Sequence, residues 1–186
     1  RWLPESRVPH EGPPRARKPL WHAAAHVFQN PSEPAPRMIW IYGVGMLAFS
    51  ALTSVLALLL GARFGVTATS IGPYFLYVGG LSVVLRSLLL GPIVDRIGET
   101  WAMRTGAMAL VVGLLLYPLA TSIPMLLCIM PLVPIGTALL FPATTSLIAA
   151  NAEPGETGTV MGVAQMWAGM ARVIAPRLSE QLKVPV

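Results

Sequence analysis

This chain is poor in charge. Of its 186 residues, 11% are charged and 54% hydrophobic. Soluble domains carry roughly 25% charged residues. A single soluble core of this size cannot hide so much apolar surface, which makes the chain a membrane protein. The acids are the scarcest group: none falls within 38–60, 71–94, 101–120, 125–150 or 159–175. The three histidines, His10, His22 and His26, all precede these runs. That excludes a membrane-embedded enzyme, which would need His, Asp or Ser clustered at one depth. The lone Cys128 excludes an intramolecular disulfide and a cysteine metal cluster, and its apolar setting reads as inert packing. Gly43-Val-Gly45 lacks the third glycine and preceding strand of a nucleotide site. No cofactor or metal is expected. There is no initiator Met and no signal-peptide pattern at the start, so the chain reads as an internal piece of a longer protein.

What is present is a series of apolar runs. Residues 1–35 form a Pro-rich basic linker, with Arg1, Arg7, Arg15, Arg17 and Lys18. Inside it, Pro19 could start a short helix that Asn30-Pro31 ends. Leu20, Trp21, Ala24, Val27 and Phe28 would share its apolar face, suiting a helix on the membrane surface. His22 and His26 are four apart, but no acidic or Cys partner is evident nearby, so they read as two solvated side chains. Residues 36–177 form the transmembrane part, with five spans expected at about 38–60, 71–94, 101–120, 125–150 and 159–175. Each reaches or approaches the ~20 residues that cross ~30 Å of hydrocarbon. A short polar tail, 178–186, completes the chain. The fold class is an all-α polytopic membrane bundle of about five transmembrane helices, because a spanning segment satisfies its own backbone hydrogen bonds.

The net charge of +5 does not point to nucleic acid, since the basic residues are not clustered on a polar domain. It points to orientation. With the linker inside, inner segments carry Arg1, Arg7, Arg15, Arg17, Lys18, Arg37, Arg96 and Arg104, against Arg63, Arg177 and Lys183 outside. That supports a cytoplasmic linker. The inner loop 151–158 has no basic residue and weakens the bias slightly.

The most informative stretch is Gly91-Pro-Ile-Val-Asp95-Arg96-Ile-Gly98-Glu99, a charged turn between two membrane-length runs. Gly91, Asp95, Arg96 and Gly98 match the G-x-x-x-D-R-x-G loop of the major facilitator superfamily, in its second-half copy. Glu99 and Thr100 stand where that family has a basic pair. Trp2-Leu3-Pro4-Glu5-Ser6 resembles the end of the family's sixth helix, and the basic linker its central cytoplasmic loop. Gly158-Thr-Val-Met-Gly162 with Gly169, Arg172 and Pro176 resembles the eleventh helix of tetracycline-resistance-type drug:proton antiporters. The resemblance covers residues 1–177; the end, 178–186, departs from it and shows no twelfth helix. It implies the seventh to eleventh helices of a secondary transporter in a cell membrane, whose partners are the lipid bilayer, a missing N-terminal half and a small-molecule substrate. It also implies that Asp95 faces the N-terminus of another helix in the inward-closed state, with Arg96 holding the loop, as a conformational latch. Gly91, lacking a side chain, would allow a close helix approach there.

Three further features bear on function. Arg86 lies nine residues before Asp95, ~13 Å along a helix and close to mid-membrane, where an arginine is costly. Arg172 lies thirteen residues beyond Thr159, ~20 Å from the inner face. Both are substrate or coupling candidates, against structural readings as a paired or snorkelling arginine. Because the spans hold no acid, a carboxylate partner or proton carrier must come from the missing helices. Pro131, Pro134, Gly136 and Pro142 should kink the fourth span, and kinked spans line cavities in transporters. The rival reading is a non-transporting membrane scaffold, which has no need of Arg86 or a broken span.

Overall fold

The computed structural model describes residues 20–181, apart from Ala68 and residues 154–155. The expected linker over 1–19, with the Trp2–Ser6 and Pro19 signals, lies outside the described residues, as do 182–186. All described elements are helical: α1 (Leu20–Gln29), α2 (Pro34–Phe64), α3 (Gly72–Val84), a π-helical turn (Leu85–Leu89), α4 (Leu90–Ile97), α5 (Glu99–Leu116), a 3-10 turn (Tyr117–Leu119), α6 (Ile123–Ile129), α7 (Leu132–Ala150) and α8 (Thr157–Gln181).

Local chemistry sets the helix boundaries. Pro34 opens α2 at its first position, where a missing N–H costs nothing. Gly65, at φ 62°, closes it in the left-handed region, with its N–H bonding Gly61 O and the Val66 N–H bonding Leu60 O. Arg63, in the last turn of α2, donates to the carbonyls of Pro118 and Ala120, joining the ends of α2 and α5. Ser122 caps α6 by accepting from the Met125 N–H. Hydroxyls inside the bundle satisfy themselves on their own helix: Thr144 on Leu140 O, Thr137 on Pro134 O, Ser54 on Ser50 O.

Among the described residues, three stretches are long and apolar enough to cross a membrane: Pro34–Phe64, Glu99–Leu119 and Ile123–Ala150. Gly72–Leu88 and Leu90–Ile97 make a fourth if the pair, bent by 51°, is one span. The fifth expected span lies in α8, a 25-residue helix that is not among these stretches. Gln165, Arg172, Arg177, Glu180 and Gln181 dilute its apolar character. α8 continues to Gln181, into the stretch 178–186 expected as a polar tail.

α5 and α7 make the most extensive contact, followed by α2 with α8 and α2 with α7. Glycine permits the first. A Cβ on Gly106 would sit 2.6 Å from Leu140 N and 2.9 Å from Gly136 O. One on Gly136 would sit 2.7 Å from Leu110 N and 2.9 Å from Gly106 O. Only side-chain-free backbones pack so closely, and dispersion then drives helix association inside lipid. This revises the reading of Gly136, which permits a helix contact. At Gly91, where a close helix approach is expected, a Cβ would meet nothing within 4 Å in this chain. Cys128, expected to pack inside, is exposed on α6.

α1 docks through aromatics. Phe28, Trp40 and Trp167 form a ring cluster with centroids 4.7–5.4 Å apart, and Trp40 Nε1 donates to Val27 O at 3.2 Å. His22 stacks on Trp21 at 3.7 Å. The turn after α1 brings Glu33 Oε2 to 3.7 Å from His26 Nε2, the acidic neighbour the sequence reading did not foresee.

Candidate functional site

The charged turn sits at the end of the one bent span. Pro92 explains the bend locally. It has no N–H, and its ring crowds the carbonyl four residues back, Leu88 O. The helix widens just before it: the Leu90 N–H bonds Leu85 O, five residues back. Such π-turns inside α-helices are rare and frequent at functional sites. Arg86 is inside this turn, exposed, and without a polar partner among the described residues. Behind the turn, a void of about 20 Å³ is lined by Leu85, Leu90 and Ile93 with Ile135, Ala138 and Leu139 of α7. Its apolar lining gives a water nothing to bond. The whole of α3 and α4 buries no residue within this chain.

Asp95 and Arg96 lie in the last turn of α4, both exposed, with no ion pair among the described residues. Gly98 makes the corner at φ 77° and ψ 158°, a conformation that L side chains rarely adopt. Its carbonyl accepts from Ala102 N at 3.0 Å and starts α5. Glu99 is then the first residue of α5, where the helix dipole favours an acid. Its carboxylate accepts from Ser146 Oγ, one turn past Pro142 of α7. The acid standing in place of the family's basic pair therefore ties the charged turn to α7. Sequence reading missed this bond, since residues 99 and 146 meet only through the α5–α7 crossing.

The four proposed kink residues play different parts. Pro131 falls at the break between α6 and α7. Pro134 is buried in the first turn of α7, Gly136 is at the α5 contact, and Pro142 is inside α7. Arg172 is on the exposed side of α8, with no polar partner among the described residues. α3 and α8 do not pack extensively together, so the fold does not join Arg86 and Arg172 in one site. Another polar contact crosses helices: Gln165 Nε2 donates to the hydroxyl of buried Tyr42 at 3.3 Å. Tyr42 lies edge-on to Phe141 at 5.6 Å, and Phe141 to Phe49 at 6.2 Å. No group of three or more His, Cys, Asp or Glu that could hold a metal occurs among the described residues.

The sequence model of the Major Facilitator Superfamily matches residues 1–176. The chain belongs to the major facilitator superfamily. Among curated proteins, "Major facilitator superfamily domain-containing protein 10" of Homo sapiens is 28% identical over 143 residues, 75% of this chain and 30% of that protein. Its Mus musculus counterpart is 27% identical over the same shares. The chain thus spans less than a third of the length of these relatives. No solved structure matches it. As a major facilitator chain it is an integral membrane protein of a transporter family, and its apolar helices contact lipid.

Proposed function

We propose that this chain is part of one helical bundle of a secondary active transporter that moves a small solute or drug by alternating access. The bent α3–α4 span carries the reading: a π-turn holding Arg86, then Pro92, then the Asp95–Arg96 turn. In this mechanism two bundles rock around a midplane site. The span supplies a labile element ending in a charged latch, and the Glu99–Ser146 bond links that latch to α7. Asp95 would engage the N-terminus of a helix in the remaining half when the inner side closes. A carboxylate there gains ~0.3–1 kcal/mol if exposed and up to ~2 if partly buried. Arg86, deep in the span and unpaired here, would meet the substrate or a coupling carboxylate from that half. Proton coupling of the drug:proton antiporter type requires that carboxylate, since Asp95 and Glu99 stand at the ends of their helices and no acid lies within 38–60, 71–94, 101–120, 125–150 or 159–175. The linker and the Asp95–Arg96 turn would face the cytoplasm.

The test uses the full-length protein in proteoliposomes. Asp95→Asn keeps size and removes the charge. The expected result is normal insertion with transport sharply reduced. Transport equal to the parent at equal expression would overturn the latch. For Arg86, both Arg86→Lys and Arg86→Gln should lose transport, and substrate should protect the parent but not the variants from thermal unfolding. Equal substrate affinity in the parent and Arg86→Gln would remove Arg86 from the site.

A further inference from the structure

We infer that α1 is a detachable strap over the seam between α2 and α8, fastened by Trp40 and set for release by Trp167. The device is independent of the transporter reading above.

Few contacts hold α1. It is 10 residues long, too short to be a stable helix by itself in water. Among its described side chains only Val27 is buried, while Trp21 and Phe28 are 68% and 53% exposed. The His26–Glu33 pair spans the turn to α2, but both side chains are half exposed, and such a pair contributes little. What remains is the Phe28–Trp40–Trp167 ring cluster and the bond from Trp40 Nε1 to Val27 O. That carbonyl lies in the last turn of α1, where helix carbonyls lack partners. The residue four positions on is Pro31, which has no N–H to give. Trp40 therefore supplies the donor that the end of α1 lacks.

Trp167 acts the other way. Its ring lies 4.7 Å from Phe28 and 4.9 Å from Trp40, yet its Nε1 is buried with no hydrogen-bond partner among the described residues. Buried indole N–H groups usually find an acceptor, and one left unpaired is destabilising. Phe28 is the α1 ring set against Trp167, so docking α1 keeps that donor sealed and unpaired. Lifting α1 uncovers the Trp167 edge and lets water or a lipid headgroup accept from it. The seam leaves room for the rings to move. A cavity of about 120 Å³ lies along it, and Trp40 and Trp167 line it with Ile39, Val44, Met170 and Ile174. That apolar lining offers the Trp167 N–H no acceptor either. Docked, α1 closes over the two indoles; released, it frees the segment before α2 from α2 and α8 together.

One chemical change made at each tryptophan tests this, because the two should respond in opposite directions. Amide hydrogen exchange of α1 is read in the full-length protein in nanodiscs, with the α5–α7 crossing as the internal reference. Trp40→Phe removes the donor to Val27 O and should speed α1 exchange by about fivefold. Trp167→Phe keeps an aromatic ring and removes the unpaired donor, and should slow α1 exchange by about fivefold. Phe28→Ala should speed exchange and should abolish the slowing by Trp167→Phe, since the donor is then no longer sealed. Thermal midpoints and exchange in the α5–α7 crossing identify any variant that has lost its fold; if Trp40→Phe has, Trp167→Phe and Phe28→Ala decide. Faster α1 exchange in Trp167→Phe, or α1 exchange equal to the parent's in the folded tryptophan variants, would overturn the strap. So would slowing by Trp167→Phe that persists when Phe28→Ala is also present.

Discussion

The α5–α7 pair and the α3–α4 span are neighbours built on opposite principles. Where Gly106 faces Gly136, backbones meet so closely that a single added Cβ would overlap main-chain atoms. Across α3 and α4 no residue is buried, the helix widens at Leu85–Leu89, and a void lies beneath the widened turn. Packed interiors have few discrete arrangements, whereas elements with few buried contacts open at low cost. Under the proposed alternating-access mechanism, α5–α7 would be the post, and α3–α4, with its charged turn, the piece that moves against it. Glu99 and Ser146 are where the two are tied.

Substitutions can break or sharpen this contrast. Gly136→Leu should cost most, because its side chain must displace Leu110 and Gly106 backbone atoms. We expect a loss of about 3 kcal/mol or more, read as a collapsed thermal midpoint or failed insertion. Pro92→Ala should act in the opposite direction. Restoring the N–H removes the cause of the π-turn, straightens the span and raises stability by roughly 1–3 kcal/mol, the scale of an interior proline penalty. Transport should fall, because a regular helix no longer yields there. A Pro92→Ala protein that is no more stable and transports normally would remove Pro92 as the origin of the bend. Ser146→Ala should cost about 1 kcal/mol, the worth of one hydrogen bond, and should loosen the turn at Gly98 without disturbing α5–α7. Gly91→Ala should be nearly silent in stability, within about 0.5 kcal/mol, since its Cβ points into open space within this chain. If Gly91→Ala abolishes transport while leaving stability unchanged, the space beside Gly91 is filled by the remaining half during the cycle.

Hydropathy carried most of the fold. The apolar runs predict the positions of α2, α3–α4, α5 and α6–α7 within a few residues, because length and polarity alone decide what can span lipid. α8 tested that logic: its helix was foreseen, but its polar residues lower its hydropathy and marked a facet that composition cannot interpret. The π-turn left no trace in hydropathy, although Pro92 was a local sign of it. Gly136 looked like a helix breaker because a glycine's role depends on what crosses it, and Gly106 is thirty residues away. Tyr42 gave no local sign that Gln165, 123 residues away, would bond its hydroxyl. In each miss the deciding partner was distant in sequence, so no local pattern could report it.

Amide hydrogen exchange on the full-length protein in nanodiscs tests the central claim most directly. It compares Leu85–Ile97 with the α5–α7 crossing, 106–116 and 132–143, in the same sample. The account predicts that Leu85–Ile97 exchanges at least about a hundredfold faster than the crossing, as expected where few buried contacts protect a segment. Equal protection of the two regions, or faster exchange in the α5–α7 crossing, would contradict it.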